Sequence, residues 1–249
     1  MGHPKYKDWQ QSPLDDLLWI SADPGCGKSV LSKSLVENEL KNTDTHSVCY
    51  FFFKDNEDQN SIATALCALL HQLFTSQPIL IRHAMDSYKK NGDKLGREVD
   101  ELWRILTAAS TDNHAHAVTC VLDALDECRT EDRRKLIRLL TNFYTQRAKS
   151  STTNSRLKFL VTSRPYQDIE SDFLDIPPDF PSIRLAGEDH NEDISEEIDL
   201  VIKVKVATAG RRLGLTPEQQ TMLKGRLLEI SHRTYLWLHL VVEDLESID

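Results

Sequence analysis

The sequence predicts an α/β protein followed by a small all-helical region, and three observations carry that prediction. Over Leu17–Val36 (LLWISADPGCGKSVLSKSLV) a short apolar run, a loop rich in Gly and Pro, and a helical pattern follow one another. Further short apolar runs then alternate with segments of helical spacing as far as Leu185, as expected of strands joined through helices. Beyond Gly187 the strands stop and only helical patterns remain.

Met1 to Ser12 is polar, with Tyr6 and Trp9 as its only large aromatic residues. Trp9 either packs over the first strand or lines a base pocket, and packing is the expectation for so large a ring. The loop Ala22, Asp23, Pro24, Gly25, Cys26, Gly27, Lys28, Ser29 fits G-x-x-x-x-G-K-[ST] except that Ala22 holds the first glycine position. Gly25 and Gly27 can take φ > 0 and turn consecutive N–H groups toward an anion, and the helix starting near Lys28 adds the positive end of its dipole. Lys28 would reach the β- and γ-phosphates and the Ser29 hydroxyl would hold Mg²⁺, with Val30 next along the same helix. An alanine forced into the left-handed region would cost on the order of 1–2 kcal/mol. At a strand end Ala22 is expected to be extended.

Ser47 to Phe53 (SVCYFFF) reads as a second, buried strand. Ser61 to Phe74 carries Ile62, Leu66, Leu69, Leu70 and Leu73 at helical spacing, and helical patterns follow at Ile79 to Lys89 and Asp100 to Ala109, split by a turn over Asn91 to Gly96. Val118 to Leu122 reads as a strand, Glu131 to Tyr144 as a helix and Leu157 to Thr162 as a strand that runs into Ser163, Arg164, Pro165. Pro177, Pro178 and Pro181 break the chain before an edge strand at Ile183 to Leu185. The last helices are expected over Ile194 to Ala209, Glu218 to Ser231 and Tyr235 to Ser247. The change of pattern predicts two domains, 1–187 and 188–249.

The chain has 249 residues, 40% hydrophobic and 28% charged, with a formal net charge of -9. That balance argues against a nucleic-acid backbone as the main partner, because such affinity comes from clustered Lys and Arg. No apolar run is long enough to span a bilayer and the N-terminus has no signal-peptide pattern, so a cytoplasmic protein without a membrane partner is expected. The five cysteines, Cys26, Cys49, Cys67, Cys120 and Cys128, show no C-x-x-C spacing and read as reduced core residues. His114 and His116 have metal-ligand spacing without a third ligand nearby and read as a solvated loop.

A second group of residues completes the chemistry. The strand before Asp123 ends in Asp123-Ala-Leu-Asp126-Glu127. In a parallel sheet the C-terminal strand ends share one edge, so Asp123 can reach a metal beside Ser29, directly or through water. Glu127 could orient or deprotonate the attacking water. Asp126 is either a second acid at the metal or a loop cap. Arg164 ends a further strand and is expected on the same edge, where a cation could touch the γ-phosphate; the alternative is a surface ion pair.

WISADPGCGKSVL, SVCYFFFKD, VLDALDEC, FLVTSRP and RTYLWLHLV together resemble the NACHT group of signal-transducing P-loop NTPases, particularly the fungal NLR-like STAND kind, over nearly the whole chain. The resemblance implies a sheet of five parallel strands in the order 5-1-4-3-2, flanked by helices and followed by a small helical domain that closes over the nucleotide. It implies that the turn Arg233, Thr234, Tyr235, Leu236 touches the base, with Tyr235 in place of a proline. It also implies self-association through this module and partner domains elsewhere in a longer chain, an effector and repeats.

The leading expectation is a slow Mg²⁺-dependent switch that binds and hydrolyses ATP or GTP. No Asn-Lys-x-Asp guanine signature occurs, and the base is left open. The rival readings are a nucleotide-binding scaffold with negligible hydrolysis, a DNA-associated ATPase of the replication-initiator (AAA+-like) kind, and a small-molecule kinase.

Overall fold

A computed structural model of the chain describes residues 3–12, 16–148, 156–173, 180–185, 192–230 and 233–247. The expected boundary at Gly187 and the prolines Pro177 and Pro178 lie outside them. The residues fall into two compact units, Met1–Ser21 with Lys28–Ile183, and Ala22–Gly27 with Arg184–Asp249. The glycine loop thus groups with the C-terminal helices, whereas the sequence places it with the strands.

The first unit opens with α1 (Pro4–Gln11), followed by β1 (Asp16–Ala22) and α2 (Lys28–Ser34), which runs on as a π-helical turn over Leu35–Glu39. Next come β2 (His46–Phe52), α3 (Ile62–Ser76), α4 (Arg82–Asn91), α5 (Val99–Ser110) and β3 (Ala117–Asp123). After α6 (Thr130–Ala148), β4 (Leu157–Ser163) and α7 (Gln167–Phe173), β5 (Ser182–Leu185) ends the sheet. The strand order is β2-β3-β4-β1-β5, the order that the resemblance implies. β2 pairs in parallel with β3, β3 with β4, and β4 with β1.

The apolar runs make these strands because both faces of the sheet are covered. All of β3 from Val118 to Asp123 and most of β4 are buried. Leu66, Leu69, Leu70 and Leu73 of α3 and Ile105, Leu106 and Ala109 of α5 pack in one core with Phe159 and Val161 of β4. Ser61 caps α3 by accepting the Thr64 N–H. The outer strand β2 is closed off by side chains: Gln72 bonds both the N–H and the C=O of Tyr50 (3.0 and 2.9 Å), and Asn42 accepts the Val48 N–H (2.7 Å). An edge satisfied in this way offers little to another strand.

Three stretches correct the sequence reading. The polar segment before β1 is a helix with Pro4 at its first turn, and its two aromatic residues are its buried ones. Trp9 packs 5.8 Å from the Tyr6 ring with the Lys158 ammonium 5.7 Å over its own. The helix expected at Ile79 to Lys89 begins as a 3₁₀ turn over Pro78–Ile81 before α4, and the turn at Asn91 to Gly96 is another over Gly92–Arg97. α7 was not expected at all. Its anchors are Ile169 and Phe173, and the Phe173 ring stacks on Trp19 at 4.4 Å.

In the second unit α8 (Glu192–Arg212), α9 (Pro217–Leu228) and α10 (Tyr235–Ser247) gather around Ile198, Ile202, Val206 and Leu238. α9 starts in a capping box of Thr216 and Gln219, with Pro217 at its first position. The buried Arg233 ties the start of α10 to α8 through Asp199 at 2.7 Å.

Candidate functional site

Ala22 is the last residue of β1, fully buried, and the only non-glycine residue with positive φ among those described is Ala124. The missing first glycine of the loop therefore leaves no backbone strain at Ala22. Gly25 and Gly27 take φ of 79° and 75°, as a loop that gathers N–H groups requires. Cys26 N–H donates to the Asp23 C=O at 3.3 Å, and the Asp23 carboxylate pairs with Arg184 at 2.9 Å. A Cβ on Gly25 would stand 2.7 Å from Thr234 Oγ1 and 3.2 Å from Leu236 Cβ. The Leu236 N–H donates to the Gly25 C=O at 3.3 Å. The turn before α10 and this glycine are thus in direct contact. Tyr235 opens α10, but its side chain lies outside the described residues.

Lys28 and Ser29 open α2, with Lys28 half-buried, Ser29 exposed, and Val30 beyond them 74% exposed. Pro24 is exposed. In the sheet unit Asp123 is 1% exposed, and its carboxylate accepts two hydroxyls, Ser32 Oγ at 2.6 Å and Thr162 Oγ1 at 2.7 Å. Both fall on Oδ1. Among the described residues no hydrogen bond or ion pair reaches Oδ2. The Thr162 oxygen also accepts the Ala124 N–H at 3.0 Å, just where the chain turns through φ 55°. A non-glycine residue held in that region costs on the order of 1–2 kcal/mol, and this turn directs the backbone into the short helix Leu125–Glu127.

Asp126 is handled differently. Its Oδ1 accepts the Arg164 N–H at 2.9 Å, and its Oδ2 lies 3.1 Å from Arg164 Nε. The Arg164 guanidinium also donates to the Tyr166 hydroxyl at 3.0 Å, and that contact, then Asp126 and Glu127, pushes its pKa above the ordinary arginine value. The structure therefore joins two sequence candidates, the second acid and the strand-end cation, as a pair, and Asp126 caps the loop.

Ser29, Asp123 and Glu127 line one cavity of ≈ 570 Å³ together with Lys33, Glu37, Lys54 and Gln59. No cluster of three His, Cys, Asp or Glu side chains able to hold a metal occurs among the described residues, and His114 is bonded to Asp112. Of the residues at the cavity, Ser29 offers a hydroxyl and Asp123 a carboxylate oxygen. That hard and sparse set fits Mg²⁺, which keeps several waters and takes the rest of its ligands from phosphates.

Ser32 and Thr162 were missed by sequence reasoning. Their signal is weak but real: a hydroxyl three residues after Ser29 along the helix, and one inside the apolar run FLVTS. Each is fully buried and would be costly unless bonded. Four of the cysteines are buried and all five are free, with burial pushing the Cys128 thiol up to about 12.

Residues 1–164 match the family described as Nephrocystin 3, N-terminal, and residues 194–248 match a domain of unknown function, DUF7069. The vegetative incompatibility protein HET-E-1 of Podospora anserina is 28% identical over 98% of this chain, which spans 18% of that protein's length. Among solved structures, the ORC2 protein of Aeropyrum pernix in its ADP form aligns with a TM-score of 0.47 at 13% identity, over 98% of this chain and 68% of that one. The STAND protein PH0952 of Pyrococcus horikoshii, which has a tetratricopeptide repeat sensor, aligns with a TM-score of 0.46 at 16% identity, over 98% and 32%. The family match across 1–164 and the HET-E-1 likeness bear out the resemblance to NACHT-type, fungal NLR-like domains. With its glycine loop, aspartate strand and arginine strand set in this sheet, the chain belongs to the Nephrocystin 3, N-terminal family.

Proposed function

We propose that this chain is the nucleotide switch of a larger signalling protein, binding a Mg²⁺-nucleoside triphosphate and hydrolysing it slowly. One observation carries the reading. Asp123 is buried with hydroxyls on one oxygen only, and its second oxygen is left uncommitted beside a cavity that Ser29 and Glu127 also line. A buried carboxylate without a cation is unfavourable unless something positive arrives.

In this reading the N–H groups of Ala22 to Ser29 cradle the phosphates, and Lys28 neutralises the β- and γ-groups. Ser29 and Asp123 hold Mg²⁺, which when bound neutralises charge on the β- and γ-oxygens. Glu127 takes a proton from the water that attacks the γ-phosphorus. The bond to the β-phosphate oxygen breaks, giving nucleoside diphosphate and inorganic phosphate. Asp126 and Arg164 hold the strand-end loops in register, and Arg164 would act on the γ-phosphate only if Asp126 released it. Tyr235 at the start of α10 is proposed to meet the base, which is ATP's or GTP's.

The domain division is proposed as 1–187 for the P-loop domain and 188–249 for the helical one. The Podospora relative, named for vegetative incompatibility, supports a cell-death or innate-immunity setting. Its greater length supports effector and repeat domains outside this chain and output by self-association. The net charge of -9 speaks against nucleic acid as the main partner. No described helix is long and apolar enough to cross a membrane, and the cytoplasm is the proposed compartment.

The test is Lys28→Ala with nucleotide affinity measured by calorimetry. A large loss is expected, and unchanged affinity removes the reading. For turnover, Glu127→Gln is expected to slow phosphate release about 10²-fold or more while binding holds. Equal loss of both takes Glu127 out of the catalytic role and leaves the scaffold reading.

A further inference from the structure

We infer that Lys54 is the cation that tells a bound triphosphate from a diphosphate, acting on the γ-phosphate from the metal side of the site; this rests on the nucleotide reading above. Lys54 lines the same cavity as Ser29, Asp123 and Glu127. Its position there is built by the backbone. The Phe53 N–H donates to the C=O of Asp123 at 3.0 Å, so Lys54 is the first residue beyond the bond that ties the end of β2 to the metal-side aspartate.

The loop that follows is closed on itself. The Lys54 N–H donates to the Gln59 C=O at 3.2 Å, and Asn56 Oδ1 accepts the N–H groups of Asp58 and Gln59 at 3.1 and 2.9 Å. Its far end is fixed beside Glu127, where the Asn60 C=O accepts the Arg129 N–H at 2.9 Å and the Cys128 thiol at 3.4 Å. These bonds fix the backbone at Lys54, so its side chain starts from a set point next to the Asp123 carbonyl and reaches inward on its own flexible stem.

The charges around the cavity single out this lysine. Lys33 lies 3.8 Å from Glu37 on the next helical turn, and Arg164 is held by Asp126. The Lys54 ammonium has no hydrogen bond or ion pair among the described residues. Asp123 and Glu127 would both repel an incoming γ-phosphate. One uncommitted cation on that side offsets the repulsion, and it acts only when the γ-group is present. A diphosphate lacks the group on which the cation would act. In phosphoryl transfer a cation supplied from the same chain also stabilises the charge that spreads over the γ-oxygens. Lys54 is suited to that because it sits on the exposed rim and can swing in on a flexible stem.

The experiment is a pair of affinities on the whole chain in Mg²⁺: one for a non-hydrolysable triphosphate analogue, one for the diphosphate. They are measured for the unchanged protein, Lys54→Ala and Lys54→Arg. The expected result is a loss of about tenfold or more in triphosphate affinity for K54A, with the diphosphate within about twofold, and most of the loss restored in K54R. Equal loss for both nucleotides, or an unchanged ratio in K54A, overturns the assignment while leaving the nucleotide reading in place. Absence of nucleotide binding by the unchanged chain removes both together. Lys54 is exposed, and melting curves of the variants verify that the fold is kept.

Discussion

Two aspartates flank β3, and they are satisfied in opposite ways. Asp112, in the loop before the strand, has its side chain only 5% exposed and is surrounded by partners: the Arg82 guanidinium and the His83 ring at 2.5 Å and the His114 ring at 3.1 Å. Asp123, at the other end, is as deeply buried but receives only the hydroxyls of Ser32 and Thr162. Asp112 is complete within the fold. Asp123 keeps one oxygen uncommitted among the described residues, and in the proposed reading a positive group from outside completes it. On that reading the difference separates a structural carboxylate from a receiving one, although both are aspartates at the ends of one strand.

The pair of Asp126 and Arg164 stands between these extremes, and its rupture should have the largest effect on stability. Arg164→Ala leaves Asp126, 2% exposed, with its charge unpaired. A loss of about 2 kcal/mol is expected, reduced from the full cost of breaking a buried pair because the arginine is itself over a third exposed. Denaturant unfolding measures it. A loss near zero would place Asp126 with the receiving carboxylates.

Thr162→Val comes next. It strips Asp123 of one donor and leaves the buried Ala124 N–H without its acceptor, for an expected cost of about 1–2 kcal/mol. A several-fold higher Mg²⁺ requirement for nucleotide binding should accompany it, because the carboxylate loses an orienting partner. A stability loss with no change in Mg²⁺ requirement would make Thr162 purely structural.

Asp112→Asn is distinguished by its response to acid. The Arg82 guanidinium, then the His114 N–H, holds the Asp112 carboxyl well below the ordinary aspartate range. Its folded pKa is thus below its unfolded value of about 3.9, so its contribution is full above that value and is lost as pH falls through and below it. The melting temperature of the unchanged protein is expected to fall more steeply between about pH 5 and 3 than that of D112N, while nucleotide affinity is the same in both. Parallel curves would contradict the pairing.

Much of this fold is written in local pattern. β3 and β4 are near-continuous apolar runs because helices cover both faces, and such runs are readable without context. Gly25, Gly27, Lys28 and Ser29 are legible because the pattern G-x-x-x-x-G-K-[ST] specifies spacing as well as residue type. α1 and α7 were hidden because two buried residues each, Tyr6 with Trp9 and Ile169 with Phe173, suffice to anchor them, too few to set a period. Ser32 and Thr162 were hidden for another reason: a hydroxyl in an apolar run says nothing until its partner, 91 and 39 residues away, is in view. The meeting of Arg164 with Asp126 likewise depends on β3 and β4 being neighbours. Strand adjacency decides it, and no spacing in the chain records it.

The distinction between the two flanking aspartates is tested most directly by titrating nucleoside triphosphate with and without Mg²⁺ against the unchanged chain and Asp123→Asn. Mg²⁺ should strengthen binding to the unchanged chain on the order of tenfold or more, and D123N should lose that gain while keeping its metal-free affinity and its fold. The same Mg²⁺ gain in both proteins would show that Asp123 receives no metal and is, like Asp112, a carboxylate of the fold alone.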